Sequence, residues 1–288
     1  MGIETLSAGA TPGHNEDLVA VYENEGVIDV VIIDGGTSVA DRDFIDADMG
    51  DVVWFVRTFA ESLGKAIGKG RSQAESVLLA TTCLRAAFEE KTGGASIPLY
   101  AWPIAAMTWI RITHTSAPAS LDLYCLGDCK ALLLQPGGSV VDLDPYVNPQ
   151  ELVLQNEIAR LAEHGVADPA ERRRRLTPML RERRAFLNSS ASPTVLCLKP
   201  NGAFAAREHR IQAGAGSMLL AMTDGFYRLV DTYGVYSNEE LAHLCRQRGL
   251  KSMLDELREV ERARAPAESL SVKSADDASA VIWSALPG

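Results

Sequence analysis

No window of this 288-residue chain offers about 20 uninterrupted apolar residues, the length a membrane-spanning helix needs. The opening MGIETLSAGATPGHNED lacks the basic start and apolar core of a secretory leader. Cysteine is sparse: Cys83, Cys125, Cys129, Cys197 and Cys245 are odd in number, scattered and without a CxxC pair. That usage reads as reduced thiols in a cytoplasmic protein rather than a disulfide framework. The histidines His14, His114, His164, His209 and His243 show no close-pair spacing, which together with the missing CxxC argues against zinc. No Gly-rich nucleotide loop, internal repeat, low-complexity tract or linker is present. Positive charge is also short: 28 Lys and Arg against 38 Asp and Glu leave a net charge of −10, which repels nucleic acid and anionic membranes alike. What remains, 47% apolar and 23% charged residues, is the composition of a soluble globular protein long enough to bury its core without staples.

The order of elements is legible from periodicity. Two β-branched runs, 18–22 and 27–33, separated by Glu23-Asn24-Glu25-Gly26, read as a hairpin. Val52, Val56, Phe59, Leu63 and Ile67 recur at helical spacing and predict an amphipathic helix over about 49–68, stopped by Gly68 and Gly70. Ser72-Gln73-Ala74-Glu75 has the capping-box pattern, and Val77, Ala80, Leu84 and Phe88 mark the buried face of a second helix ending near Gly93. Short apolar segments at 104–112, 121–126 and 131–134 read as an antiparallel meander. Residues 148–188 return to helical composition, with Asp168-Pro169-Ala170-Glu171 supplying a cap, a first-turn proline and an early carboxylate. Further strands fit 194–198, 203–208, 217–223 and 278–284, with helices near 238–247 and 250–263. This order is α+β rather than alternating βαβ, and sheet on sheet with helices outside is the simplest packing that hides every sheet face. We expect one domain over 1–288, with a helical, Arg-rich insert or flap at about 148–192.

Aspartates recur where apolar strands stop. Asp34 follows VIDVVII, Asp128 follows LDLYCLG, Asp224 follows MLLAMT, and Asp276 stands just before ASAVIW. A carboxylate at a strand end can project into a shared cleft while its neighbours stay in the core. Several such groups would repel one another unless cations sat among them, and hard oxygen ligands select Mg2+ or Mn2+.

The same residues resemble the type 2C, metal-dependent protein phosphatases. His14-Asn15-Glu16-Asp17 is similar to the family's early NED segment and Asp34-Gly35-Gly36 to its DG motif. Gly127-Asp128-Cys129 is similar to GDS, Thr223-Asp224-Gly225 to SDG, and Asp276-Asp277-Ala278-Ser279 to the closing acidic motif. The resemblance implies a four-layer α/β/β/α sandwich, two central antiparallel sheets flanked by helices, with a binuclear Mg2+/Mn2+ centre at one end. In that scheme Asp34 bridges two metals, the Gly35 carbonyl binds one, Asp224 and Asp276 bind the other, and Asp128 helps hold a third. Glu16 holds metal-bound water and Asp17 adds a further carboxylate. The implied reaction is hydrolysis of phosphoserine or phosphothreonine in proteins by a metal-bridging hydroxide. The resemblance departs at two places: Pro12 occupies the position of the family's phosphate-holding arginine, and Asp34-Gly35-Gly36 lacks the DGHGG histidine, so another cation and either water or His14 must serve. Two other readings stand beside this one: a pseudophosphatase that binds or regulates, and a phosphatase of small phosphorylated metabolites.

Other features have plainer readings. Asp41, Asp43, Asp46, Asp48 and Asp51 read as a solvated acidic loop and helix start. Arg172 to Arg175 with Arg181, Arg183 and Arg184 read first as a solvated helix face; the alternative is a basic wall that attracts phosphorylated substrate. Cys129 reads as a small buried residue, and Trp54, Trp102, Trp109 and Trp283 as packing residues.

Overall fold

A computed structural model of the chain describes residues 2–68, 70–115, 118–166, 168–263 and 275–286. Ala167, inside the predicted insert, lies outside the described residues. Strand β1 (Gly2–Ala8) precedes the predicted hairpin, β2 (Leu18–Asn24) and β3 (Val27–Gly35), and the helix pair α1 (Asp51–Ile67) and α2 (Gln73–Thr92) follows. A 3-10 turn (Leu99–Ala101) leads into β4 (Ile104–Thr113), β5 (Ala119–Leu126), β6 (Lys130–Leu134) and β7 (Val140–Asp142). Helices α3 (Pro149–Glu163) and α4 (Pro169–Ser189) come next, then β8 (Leu196–Cys197), β9 (Arg207–Ala213), β10 (Met218–Met222), the short α5 (Asp224–Tyr227), α6 (Asn238–Ala263) and β11 (Ala278–Ser284).

The strands form two antiparallel sheets. One runs β2-β3-β4-β5-β9, with β8 paired to the start of β4; the other runs β1-β11-β10-β6-β7. Strand β3 is apolar on both faces because both are covered. Ile28, Val30 and Ile32 meet Leu133, Leu219, Val281 and Trp283 of the facing sheet, whereas Val31 and Ile33 meet Phe55, Phe59 and Leu63 of α1. On the far side Leu220, Met222 and Ile282 pack against Leu241, Met253 and Leu257 of α6. Helix pair, sheet, sheet and helix thus stack in the expected four layers, an α+β fold. Among the described residues no helix is long and apolar enough to cross a membrane.

Local signals hold where one element decides them. Ser72 accepts from the Glu75 amide, and the Glu75 carboxylate accepts from the Ser72 amide. Asp168 caps α4 through the amides of Ala170 and Glu171. The break between the two predicted C-terminal helices is present inside α6 at Gly249, where φ is +78°.

Three expectations are corrected. The 104–134 segments are not one meander: β4 and β5 pair, but β6 crosses to the other sheet and pairs with β10. The strand placed at 203–208 runs Arg207–Ala213, because it pairs along β5 from Cys125 back to Ala119. Asp51 is not solvated. It is 1% exposed and accepts amide hydrogens from Phe44, Ile45 and Asp46, folding the acidic loop onto the start of α1.

Candidate functional site

A cavity of about 610 Å³ opens at one end of the sandwich, between the strand ends and α4. Asp34, Gly35, Asp128, Asp224 and Asp276 all line it. Each comes from a place where the chain leaves a sheet. Asp34 closes β3, Asp128 stands in the turn between β5 and β6, Asp224 opens α5 directly after β10, and Asp276 lies just ahead of β11. The strands are buried along their length, and these side chains stand at the rim where the strands end.

Carboxylates dominate the electrostatics at that rim. Burial is the largest influence on Asp34 and pushes its carboxyl well above the ordinary range; Asp224, Asp17 and Asp276 push it the same way, Asp224 also through a hydrogen bond. Asp17 is raised too, by burial first, with the Thr223 hydroxyl opposing and Asp224 and Asp277 adding to the rise. Burial among these groups likewise pushes up the Cys129 thiol, which lies in the core as expected and is no exposed nucleophile.

Glu16 and Asp17 stand behind the cavity wall rather than in it. The Thr37 hydroxyl donates to Glu16 Oε2 at 2.7 Å, the Gly35 amide donates to the Glu16 carbonyl at 3.2 Å, and His14 Nε2 lies 3.7 Å from Glu16 Oε1. Thr223 Oγ1 donates to Asp17 Oδ2 at 2.8 Å. Two glycines allow these approaches: a Cβ on Gly35 would stand 2.5 Å from the Glu16 carbonyl oxygen, and one on Gly225 would stand 1.8 Å from that of Asp277. Asp277 was not singled out by the sequence reading, yet its carboxylate accepts from the amides of Ala10 and Glu16 and so fixes the NED-like segment against β11. Its position inside the closing acidic motif was the available signal.

The opposite wall is basic. Arg173, Arg174, Arg181, Arg183 and Arg184 of α4 line the cavity, so the solvated-face reading is corrected for most of the run. It holds for Arg174 and Arg175, which are exposed and paired with Glu171, and Arg173 is exposed as well. Arg184 is only 8% exposed and donates from Nη2 to the carbonyls of Gly36 and Thr37 at 3.1 and 3.0 Å. Burial pulls its pKa down to about 10, against the attraction of Glu16, so the guanidinium stays charged at neutral pH. Arg173 donates to the Ser38 carbonyl at 3.5 Å, and Arg181 donates to the Val39 carbonyl at 2.8 Å and to Asp41. Four successive carbonyls after the DG motif are therefore held by one helix. Asn148, the cap of α3, donates to Asp128 Oδ2 at 2.8 Å and accepts from Arg183 Nη2 at 3.3 Å, tying the two walls together.

The donor set suits a hard divalent cation: several oxygen ligands, mutually repelling, at the mouth of one cavity. Among the described residues no three His, Cys, Asp or Glu side chains stand as a closed cage for one ion. Mg2+ and Mn2+ do not require one, since such ions retain several waters and take only a few protein oxygens.

No protein-family model matches the chain, and no curated protein matches it by sequence. Solved structures match it along nearly its whole length. The S. agalactiae serine/threonine phosphatase is 14% identical with a TM-score of 0.56, covering 98% of each chain. The catalytic domain of the serine/threonine phosphatase PstP, solved with 2 manganese ions, is 17% identical with a TM-score of 0.51, covering 98% of this chain and 96% of that one. The PPM Ser-Thr phosphatase MsPP from Mycobacterium smegmatis, solved with cacodylate, is 13% identical with a TM-score of 0.52, covering 99% and 98%. The α+β sandwich described above is thus the fold of the type 2C metal-dependent serine/threonine phosphatases.

Proposed function

We propose that this chain is a Mg2+- or Mn2+-dependent phosphatase acting on phosphoserine and phosphothreonine in proteins. The observation that carries the reading is that Asp34, Asp128, Asp224 and Asp276, drawn from four separate strand ends, line one cavity, with burial and neighbouring carboxylates as the leading influences on Asp34. Structures of the same fold, solved with manganese or with cacodylate, a tetrahedral arsenic oxyanion, support it.

In this reading Asp34, the Gly35 carbonyl, Asp224 and Asp276 hold the ions, with Asp128 at a further position. When bound, a pair of such ions lowers the pKa of water and neutralises the oxygens of an in-line displacement at phosphorus. The chain's own residues then orient and enclose. Glu16, fixed by Thr37 and Asp277, stands behind the cavity wall to hold metal-bound water, and Asp17, held by Thr223, adds a further carboxylate there. The α4 arginines that line the cavity offset the charge of an entering phosphate. The chain over 1–288 works as one unit, its 148–192 segment forming the second wall of the cleft.

Titration of Mn2+ against hydrolysis of a phosphopeptide tests this. Turnover should rise with metal and fall by at least ~100-fold in Asp34→Asn and Asp224→Asn, as expected when the residues that hold an ion are lost. The departures at Pro12 and at Asp34-Gly35-Gly36 favour a second reading, a fold-retaining binding module. Phosphopeptide binding without turnover at any Mn2+ concentration would select it.

A further inference from the structure

We propose that Arg183 is the residue that grips the phosphoryl group of the substrate, a phosphate monoester dianion; this rests on the phosphatase reading above. The cavity is lined by five arginines and by no lysine or histidine among the described residues. Three of the five are committed. Arg174 pairs with Glu171, Arg184 holds the carbonyls of Gly36 and Thr37, and Arg181 holds the Val39 carbonyl and Asp41; Arg173 is exposed, and its one bond, to the Ser38 carbonyl, is 3.5 Å long. Arg183 makes one long bond, from Nη2 to Asn148 Oδ1 at 3.3 Å, and its Nε is buried without an acceptor. A covered guanidinium N–H left unmade is costly, so reorientation toward an anion gives up one weak bond and gains a strong pair.

Its place in the cleft fits the task. The acidic groups that act on Arg183 are Asp128, Glu151 and Tyr146, so the side chain stands at the carboxylate end of the cavity. Asn148 bonds both Asp128 and Arg183 and thereby sets the distance between the acidic wall and this cation. A planar guanidinium binds two oxygens of one phosphate at once, an arrangement a lysine cannot copy. A group that holds the phosphoryl oxygens themselves acts on every substrate alike, whatever the leaving group.

The test is calorimetric titration of inorganic phosphate into the full chain in Mg2+ buffer, beside steady-state kinetics with p-nitrophenyl phosphate and with a phosphopeptide. Arg183→Gln should weaken phosphate binding ~10- to 100-fold, the scale of a lost charge-assisted pair, and raise KM for both substrates by similar factors with a smaller change in kcat. Arg183→Lys should recover part of the loss, and Arg175→Gln, outside the cavity lining, should stay within about twofold of the parent, as expected for an exposed ion pair. Phosphate binding unchanged in Arg183→Gln, or a KM effect confined to the phosphopeptide, overturns the proposal, as does a parent protein that binds no phosphate. A parent that binds phosphate through Arg183 but shows no metal-dependent turnover overturns the phosphatase reading alone.

Discussion

The two walls of the cleft are held in opposite ways. The carboxylate wall belongs to the double sheet, where each aspartate stands at the end of a strand whose neighbours fill large apolar clusters. The arginine wall belongs to α3 and α4, whose own apolar cluster has four buried members, Ile158, Leu161, Val166 and Leu176. What docks those helices is polar: Arg184, Arg181 and Arg173 on loop carbonyls, and Asn188 on the carbonyls of Leu99 and Trp102. Apolar packing fixes the acidic residues; hydrogen bonds fix the basic ones. Part of this molecule is thus built for stability and part for placement.

The sharpest break of that contrast is Phe55→Ala. Phe55 is fully buried between α1 and the sheet, and its truncation should cost about 3–5 kcal/mol of global stability, read by denaturant melts. Arg184→Met comes next. It leaves the Gly36 and Thr37 carbonyls without their donor at about 1–3 kcal/mol for each group left buried. Amide exchange should accelerate across 36–41 and 169–189 while the strands keep their protection. Leu161→Ala should loosen α3 and α4 in the same way with little change in the exchange of β3, which would confirm that the two walls open separately.

A pH effect of moderate size distinguishes the walls further. Asp34 and Asp17 have folded pKa values raised by burial and neighbouring carboxylates, so the native chain binds more protons than the unfolded one between the ordinary carboxylate range and those raised values. Without metal, this contribution to stability falls as pH rises through that window. Mn2+ should therefore raise the melting temperature more at pH 7 than at pH 5, and the difference should shrink in Asp34→Asn. Asp144, outside both walls in the segment between β7 and α3, has the opposite sign. Burial raises its carboxyl, but Arg207 and His209 outweigh that and hold it below the usual value, so its contribution is lost only as pH falls below the ordinary carboxylate range. The smallest effect is Arg175→Gln, an exposed i,i+4 pair with Glu171 whose loss should stay within about 0.5 kcal/mol in the same melts.

Much of this architecture was legible because single elements carry their own signals. The capping box at Ser72, the Asp168 cap and the strand-end aspartates each depend on a few adjacent residues. The misses needed knowledge of a distant partner. Strand β6 has the same apolar character in either sheet, and only its pairing with β10 decides which. Strand β1, GIETLSA, alternates too weakly to be read alone and is ordered by pairing along the whole of β11. Asp51 reads as one more acid in an acidic loop until the amides of Phe44, Ile45 and Asp46 fold back onto it. The arginines of α4 look interchangeable in sequence; the helix surface sorts them, with Arg174 outward on Glu171 and Arg184 inward on the loop.

A clamp that grips main-chain oxygens is blind to side chains. Arg184, Arg173 and Arg181 fix the path of the segment after Gly35 without consulting what Val39 carries, so that position is free to drift while the course of the loop is not. Exchange of Val39 for alanine should pass unnoticed where a single proline, by bending that path, would not.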